Sequence, residues 1–108
     1  MTRKALGEFE HHVLLALMRR GGRDYSAPIV LELEEATGRP AVAAAVFVAL
    51  RRLEQRGLVH SVKQRAKAGE GGRGRRVFEL TPAGERRLRE SRATFDRLWQ
   101  GIALEERR

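Results

Sequence analysis

A mainly α-helical fold with one small β-hairpin is predicted, in the order helix, helix, helix, hairpin, helix. Three features predict it. Apolar residues recur at helical spacing over residues 5–20, 27–37 and 41–56, with glycine-containing turns between them. Two short extended stretches, Val59–Gln64 and Arg76–Leu80, flank a connection rich in glycine and arginine. A Thr81-Pro82 start signal then opens a last helix that reaches about Leu104.

In the first helix, Leu6, Phe9, Val13, Ala16 and Leu17 form one apolar stripe. Leu14, Leu15 and Met18 fall to its side or opposite. A helix with apolar residues on two faces needs two partners, here the domain core and a second element or subunit. Gly21-Gly22 ends it. Ser26 is placed to cap the second helix, and Pro28 is tolerated in its first turn. Ile29, Leu33 and Ala36 make its buried face, and Gly38 with Pro40 stops it. The third helix turns Val42, Val46, Ala49, Leu50 and Leu53 inward. Gly57 suits a left-handed position after it, and Leu58 folds back on Leu53. Two helices joined by a short glycine-containing turn make a helix-turn-helix.

In the hairpin, Phe78 and Leu80 share one face of the second strand, and Val77 and Glu79 the other. Its connection holds Gly69, Gly71, Gly72 and Gly74, too long for a tight two-residue turn and read as a flexible basic tip. The last helix carries Leu88, Phe95 and Ile102 seven apart, with Ser91 and Leu98 between and Trp99 beside them. That is an incomplete heptad seam. A helix of roughly 22 residues spans about 33 Å, more than so small a domain needs for its own core. The whole reads as a winged helix-turn-helix over residues 1–81, with the wing at 58–81. A dimerisation helix at 82–104 and a charged tail at 105–108 complete it.

With 108 residues the chain makes one domain. It has no cysteine, hence no disulfide framework, thiolate nucleophile or cysteine-held zinc. No signal peptide or membrane-spanning run is legible, so a cytoplasmic protein without membrane association is expected. The net charge is +8, and residues 51–76 carry most of it, with nine Lys/Arg against Glu54 and Glu70. Charge so localised, at a sequence pI near 11.3, marks a candidate site for a polyanion. A helix for the major groove beside a basic hairpin for the phosphates meets the demands of binding double-stranded DNA.

The expected contacts are Arg39, Val42, Ala45, Phe47, Arg51 and Arg52 around the third helix. From the wing they are Lys63, Arg65, Lys67, Arg73, Arg75 and Arg76. The dimer interface is expected from Leu14, Leu15, Met18, Leu88, Phe95, Leu98, Trp99 and Ile102. No enzymatic activity, cofactor or metal is expected. His11 and His12 point about 100° apart on a helix, His60 lies on a strand, and no spacing matches a metal site. There is no nucleophile elbow or P-loop.

Three motifs carry a resemblance. Leu6-Gly-Glu-Phe-Glu, Leu53-Glu-Gln-Arg-Gly-Leu-Val59 and Gly74-Arg-Arg-Val-Phe-Glu-Leu-Thr-Pro-Ala-Gly84 together resemble the PadR-like transcriptional regulators, from Leu6 to about Ile102. The resemblance implies a homodimeric repressor, with the last helix joining the first in the dimer interface. It also implies that Trp99, with Phe95 and Leu14 or Met18 nearby, holds a planar aromatic effector; packing in the interface is the plainer role for Trp99.

The chain departs from the family at the start of the recognition helix. Family members often carry Ser, Thr or Gly there and a Tyr within; this chain has Val42, Ala44, Ala45 and Phe47. Alanine and valine touch only thymine methyls, so base readout falls to Arg39, Arg51 and Arg52, or to DNA shape. Two other functions stay open. One is a non-specific nucleic-acid binder of the same fold, the other a winged-helix protein-interaction module.

Overall fold

The computed structural model describes residues 5–65 and 75–105. Its elements are α1 (Glu8–Arg19), β1 (Arg23–Tyr25), α2 (Ser26–Thr37), α3 (Ala43–Gln55), β2 (Val59–Lys63), β3 (Arg76–Leu80) and α4 (Pro82–Trp99). Three helices pack around one core, closed on one side by an antiparallel sheet of order β1-β3-β2. This is a winged helix with one added helix.

The sheet has a strand that the sequence pattern does not announce. Arg23, Asp24 and Tyr25 pair with Glu79, Phe78 and Val77 of β3. Three residues without apolar alternation carry no period-two signal, and their partner lies more than fifty positions away. The wing pairs as expected, Val59 with Leu80 through Lys63 with Arg76. Val77 and Phe78 are both buried, so the two faces of β3 are covered together.

The core is filled by Val13, Leu14 and Leu17 of α1, Ile29 and Leu33 of α2, and Val46, Leu50 and Leu53 of α3, with Phe78 beneath them. Five expectations change here. Leu14 is 0% exposed, inside the subunit's own core instead of on an interface. Phe9, expected in the core, stays 42% exposed and lines the surface grooves beside α3 and at the end of α2. Ala36 and Val42 are exposed, not inward, since α2 has nearly ended at the first and α3 has not begun at the second. Ser26 is the first residue of α2 and not its cap, because Tyr25 at the cap position is still extended from β1.

Both ends of the wing are held by helix-terminal chemistry. After α3, Gly57 takes φ 76°, and the Gly57 and Leu58 N–H groups donate to Glu54 O and Leu53 O, each at 3.0 Å. That double bond pattern closes the helix and turns Leu58 into the core. At the start of α4, Thr81 Oγ1 accepts from the Gly84 N–H (3.0 Å) and donates to Gly57 O (2.7 Å). One side chain thus caps α4 and ties it to the end of α3.

The last helix is shorter than its apolar spacing suggests. It ends at Trp99, and Gln100 leaves helical backbone with ψ 127°. Ile102 therefore lies beyond the helix, and the seam is cut before its second seven-residue step is complete. Among the described residues none covers this end, and glycine at position 101 opposes continuation. Leu88 is 8% exposed and belongs to the subunit's core, which removes it from the expected interface.

Candidate nucleic-acid interface

The start of α3 projects a surface without side-chain donors. Val42 serves as its cap residue and makes no side-chain cap bond. Val42, Ala44, Ala45 and Val48 are all exposed. Phe47 is 40% exposed and packs edge-on against Phe78, with ring centroids 5.8 Å apart and planes at 83°. That packing anchors α3 to the sheet and withdraws part of the Phe47 ring from a groove. Arg39 is exposed just ahead of this surface.

The basic residues near this surface fall into two groups. Arg39, Arg52, Lys63 and Arg65 are exposed and have no carboxylate partner among the described residues. Arg51, Arg75 and Arg76 are held by interactions within the chain. Lys67 and Arg73 lie outside the described residues, as do the glycines from Gly69 to Gly74.

One set of hydrogen bonds sits between α3 and β2. The Ser61 N–H and hydroxyl both donate to Glu54 Oε2, at 2.9 and 2.5 Å. Arg51 Nη1 donates to Glu54 Oε1 at 2.8 Å. Arg76 Nη1 donates to Ser61 Oγ at 2.9 Å. Partial burial alone would raise the Glu54 pKa. The Ser61 hydroxyl, Arg51, the Ser61 N–H and Arg76 outweigh it and hold the carboxyl below its ordinary value. Charge-assisted bonds of this kind are the stronger ones.

A second set flanks the wing on its other side. The Gln64 N–H donates to Arg75 O at 2.6 Å, extending the strand pairing one step toward the tip. Tyr25 OH donates to Gln64 Oε1 at 2.5 Å. The Arg75 guanidinium lies over the Tyr25 ring, 5.3 Å from its centroid. A cation over an aromatic face is attracted by the ring quadrupole. The short strand β1 thus brings Tyr25 to the base of the wing.

Sequence reasoning named the arginines but missed Glu54, Ser61, Tyr25 and Gln64. Two of these carried a signal. Arg51 and Glu54 stand three apart on one helix, a pairing distance. Ser61 alternates with Val59 on the inward face of β2, where a polar residue needs a partner.

A second surface, formed by α1, α4 and the residues just after α4, is apolar. Leu15, Met18, Phe95, Leu98, Trp99 and Ile102 are each between 41% and 64% exposed. A groove of about 440 Å³ runs between α1 and α4, lined by His11, Leu15, Met18, Leu88 and Phe95, with Glu85, Arg89, Arg92 and Asp96 at its margin. Trp99 does not line it. His11 stacks on Phe95, with centroids 6.3 Å apart and planes at 20°. Burial, then His12 and Arg87, lower the His11 pKa. Among the described residues no helix is long and apolar enough to cross a membrane.

The family model of the PadR-like transcriptional regulators matches residues 14–90. The chain belongs to the PadR-like family of transcriptional regulators. A PadR family regulator from Eggerthella lenta DSM 2243 is 30% identical, with 82% of this chain and 75% of that one covered, at TM-score 0.67. PadR of Bacillus subtilis, solved in complex with operator DNA, is 18% identical, with 93% of this chain and 51% of that one covered, at TM-score 0.62. BpsR of Bordetella bronchiseptica, whose DNA binding is regulated by 6-hydroxynicotinic acid, is 20% identical, with 95% and 72% covered, at TM-score 0.65. The last two show likeness of fold. No curated protein matches. Within the Leu80-Thr-Pro-Ala-Gly84 run, Thr81 and Gly84 form the joint between α3, the wing and α4.

Proposed function

We propose that this PadR-like regulator is a sequence-specific, homodimeric DNA-binding repressor. The observation that carries the proposal is that Arg51 of α3 and Arg76 of the wing meet through Glu54 and Ser61, with Arg52 exposed on the same helix and Lys63 and Arg65 exposed at the wing. Each subunit presents α3 to a major groove and the wing to the adjoining backbone. Two-fold symmetry sets half-sites about 10 bp apart or a multiple of that. The surface of Leu15, Met18, Phe95, Leu98 and Trp99 supports dimerisation, because a subunit that leaves so many large apolar groups on neighbouring helices uncovered invites a second copy.

Specificity is supplied by few groups. With alanines and valines at the start of α3, base readout rests on Arg39, Arg52 and thymine methyls, and the remainder on DNA shape. The same apolar start favours non-specific binding as the second reading. Selection of bound duplexes from a random pool, followed by sequencing, separates the two. A palindromic consensus supports the proposal; retained duplexes without a consensus overturn its specific form.

The dimer also brings two α1/α4 grooves together, each with a stacked His11–Phe95 pair that suits a planar aromatic effector. Effector binding in or beside α4 would alter the spacing of the two recognition helices and relieve repression. Saturable quenching of Trp99 by planar cationic dyes tests it, and its absence in a confirmed dimer counts against an effector there.

A further inference from the structure

The centre of the basic surface contains a carboxylate. Beside DNA a negative charge repels phosphate, so its presence there needs a reason. We propose that Glu54 is a positioning residue, which sets Arg51 and Arg76 at the junction of α3 and the wing to meet the DNA backbone. The proposal rests on the DNA-binding reading above.

The geometry makes the carboxylate the root of a directed chain. β2 lies at the edge of the sheet, so its outward N–H groups have no strand partner. Glu54 Oε2 takes the Ser61 N–H, which fixes α3 to that edge at 2.9 Å. The same oxygen takes the Ser61 hydroxyl proton at 2.5 Å. A hydroxyl has one proton to give, so Ser61 Oγ then offers only lone pairs. Arg76 Nη1 fills one of them at 2.9 Å, and Arg51 Nη1 lies 3.5 Å away while bonded to Glu54 Oε1 at 2.8 Å. A helix residue and a wing residue, 25 positions apart, thereby share one anchor. Each guanidinium carries five N–H donors, and one nitrogen engaged with the anchor leaves the others to face outward.

Holding the arginines in place lowers the cost of ordering two long, flexible side chains when phosphate arrives. A single carboxylate serving two guanidinium groups leaves the junction with one net positive charge.

Charge and position predict opposite results for Glu54→Gln. The substitution adds one positive charge, so electrostatics alone predicts tighter binding and a steeper dependence on salt. The positioning role predicts the reverse, about tenfold weaker binding and a salt slope shallower by about one to two units, one for each phosphate that is no longer neutralised. Affinity for a selected duplex is measured across a salt series, with thermal unfolding on the same samples.

Equal or tighter binding by Glu54→Gln, with the slope kept, overturns the proposal. Ser61→Ala leaves the charge unchanged and breaks the chain at its middle; if Glu54→Gln does not fold, this variant decides. Weaker binding and a shallower slope in a folded Ser61→Ala support the role, and wild-type behaviour overturns it. Failure of the wild-type protein to bind any duplex removes the DNA-binding reading and this role together, whereas binding that neither substitution affects removes this role alone.

Discussion

Gly84 stands in the first turn of α4 where the helix crosses the end of α3. An added Cβ there would overlap the Leu58 carbonyl oxygen and come within 2.7 Å of Leu80 Cδ1 and 3.1 Å of the Leu58 carbonyl carbon. The Leu80 methyl is the end of a side chain and can swing aside. The Leu58 carbonyl cannot, since it accepts from the Thr81 N–H at 3.2 Å while its own residue's N–H is bonded to Leu53 O. Relief of the clash must therefore move α4 away from the α3–β2 joint. Overpacking of this kind costs about 3 kcal/mol at the upper end of its usual range. Glycine to alanine within a helix returns about 1 kcal/mol through propensity. Gly84→Ala should thus destabilise by about 2 kcal/mol, a fall of roughly 10 °C in Tm for a domain of this size. Thermal unfolding followed by circular dichroism, at fixed protein concentration, measures it. A rise in Tm, as helix propensity alone predicts, would refute the close approach and with it the rigid joint between α4 and the wing.

Other outcomes follow from the same geometry. Leu14→Ala should cost about 2–5 kcal/mol by opening a cavity in the core. Leu15→Ala should change subunit stability little and instead shift the monomer–dimer balance in sedimentation. Replacing Lys63 and Arg65 together by Gln should weaken binding to all duplexes alike and reduce the salt slope by up to about two units. An unchanged slope would exclude both from touching phosphate. Because the folded-state pKa of His11 is lowered, its contribution to stability is present above its unfolded pKa and is lost as pH falls through that value toward the folded one. His11→Phe should remove that part of the acid sensitivity, and an unaltered profile of unfolding against pH would contradict the assignment.

The parts legible in the sequence were those whose signals are local. Gly57 after Leu53, and Thr81 before Pro82, mark helix ends with chemistry confined to a few residues, and the structure places both ends there. Helical spacing found the inward Val46, Ala49, Leu50 and Leu53 for the same reason. Spacing alone erred where a helix has more than one apolar side. In α1 it put Phe9 inward and Leu14 outward, because which side faces the core depends on how α2, α3 and β3 pack against it. In α4 it continued the seam through Ile102, although a heptad pattern stabilises a helix only where a partner covers it.

The candidate site shows the same division. Where the positive charge gathers is a property of the chain, because Lys and Arg are counted along it wherever it folds. Which cations stand open and which are held is a property of the fold, because it depends on partners brought from afar. Tyr25 reaches Arg75 through a strand that only pairing with β3 creates, and Glu54 meets Arg76 only because the wing closes onto α3. The sequence by itself determined the order of the helices and the wing, the end of α3, the start of α4 and the basic character of the wing region, all from signals within a turn or two. The tertiary structure alone decided the third strand, the burial of Leu14 and Leu88, and the anchoring of the arginines, since each requires two segments distant in the chain to share one space.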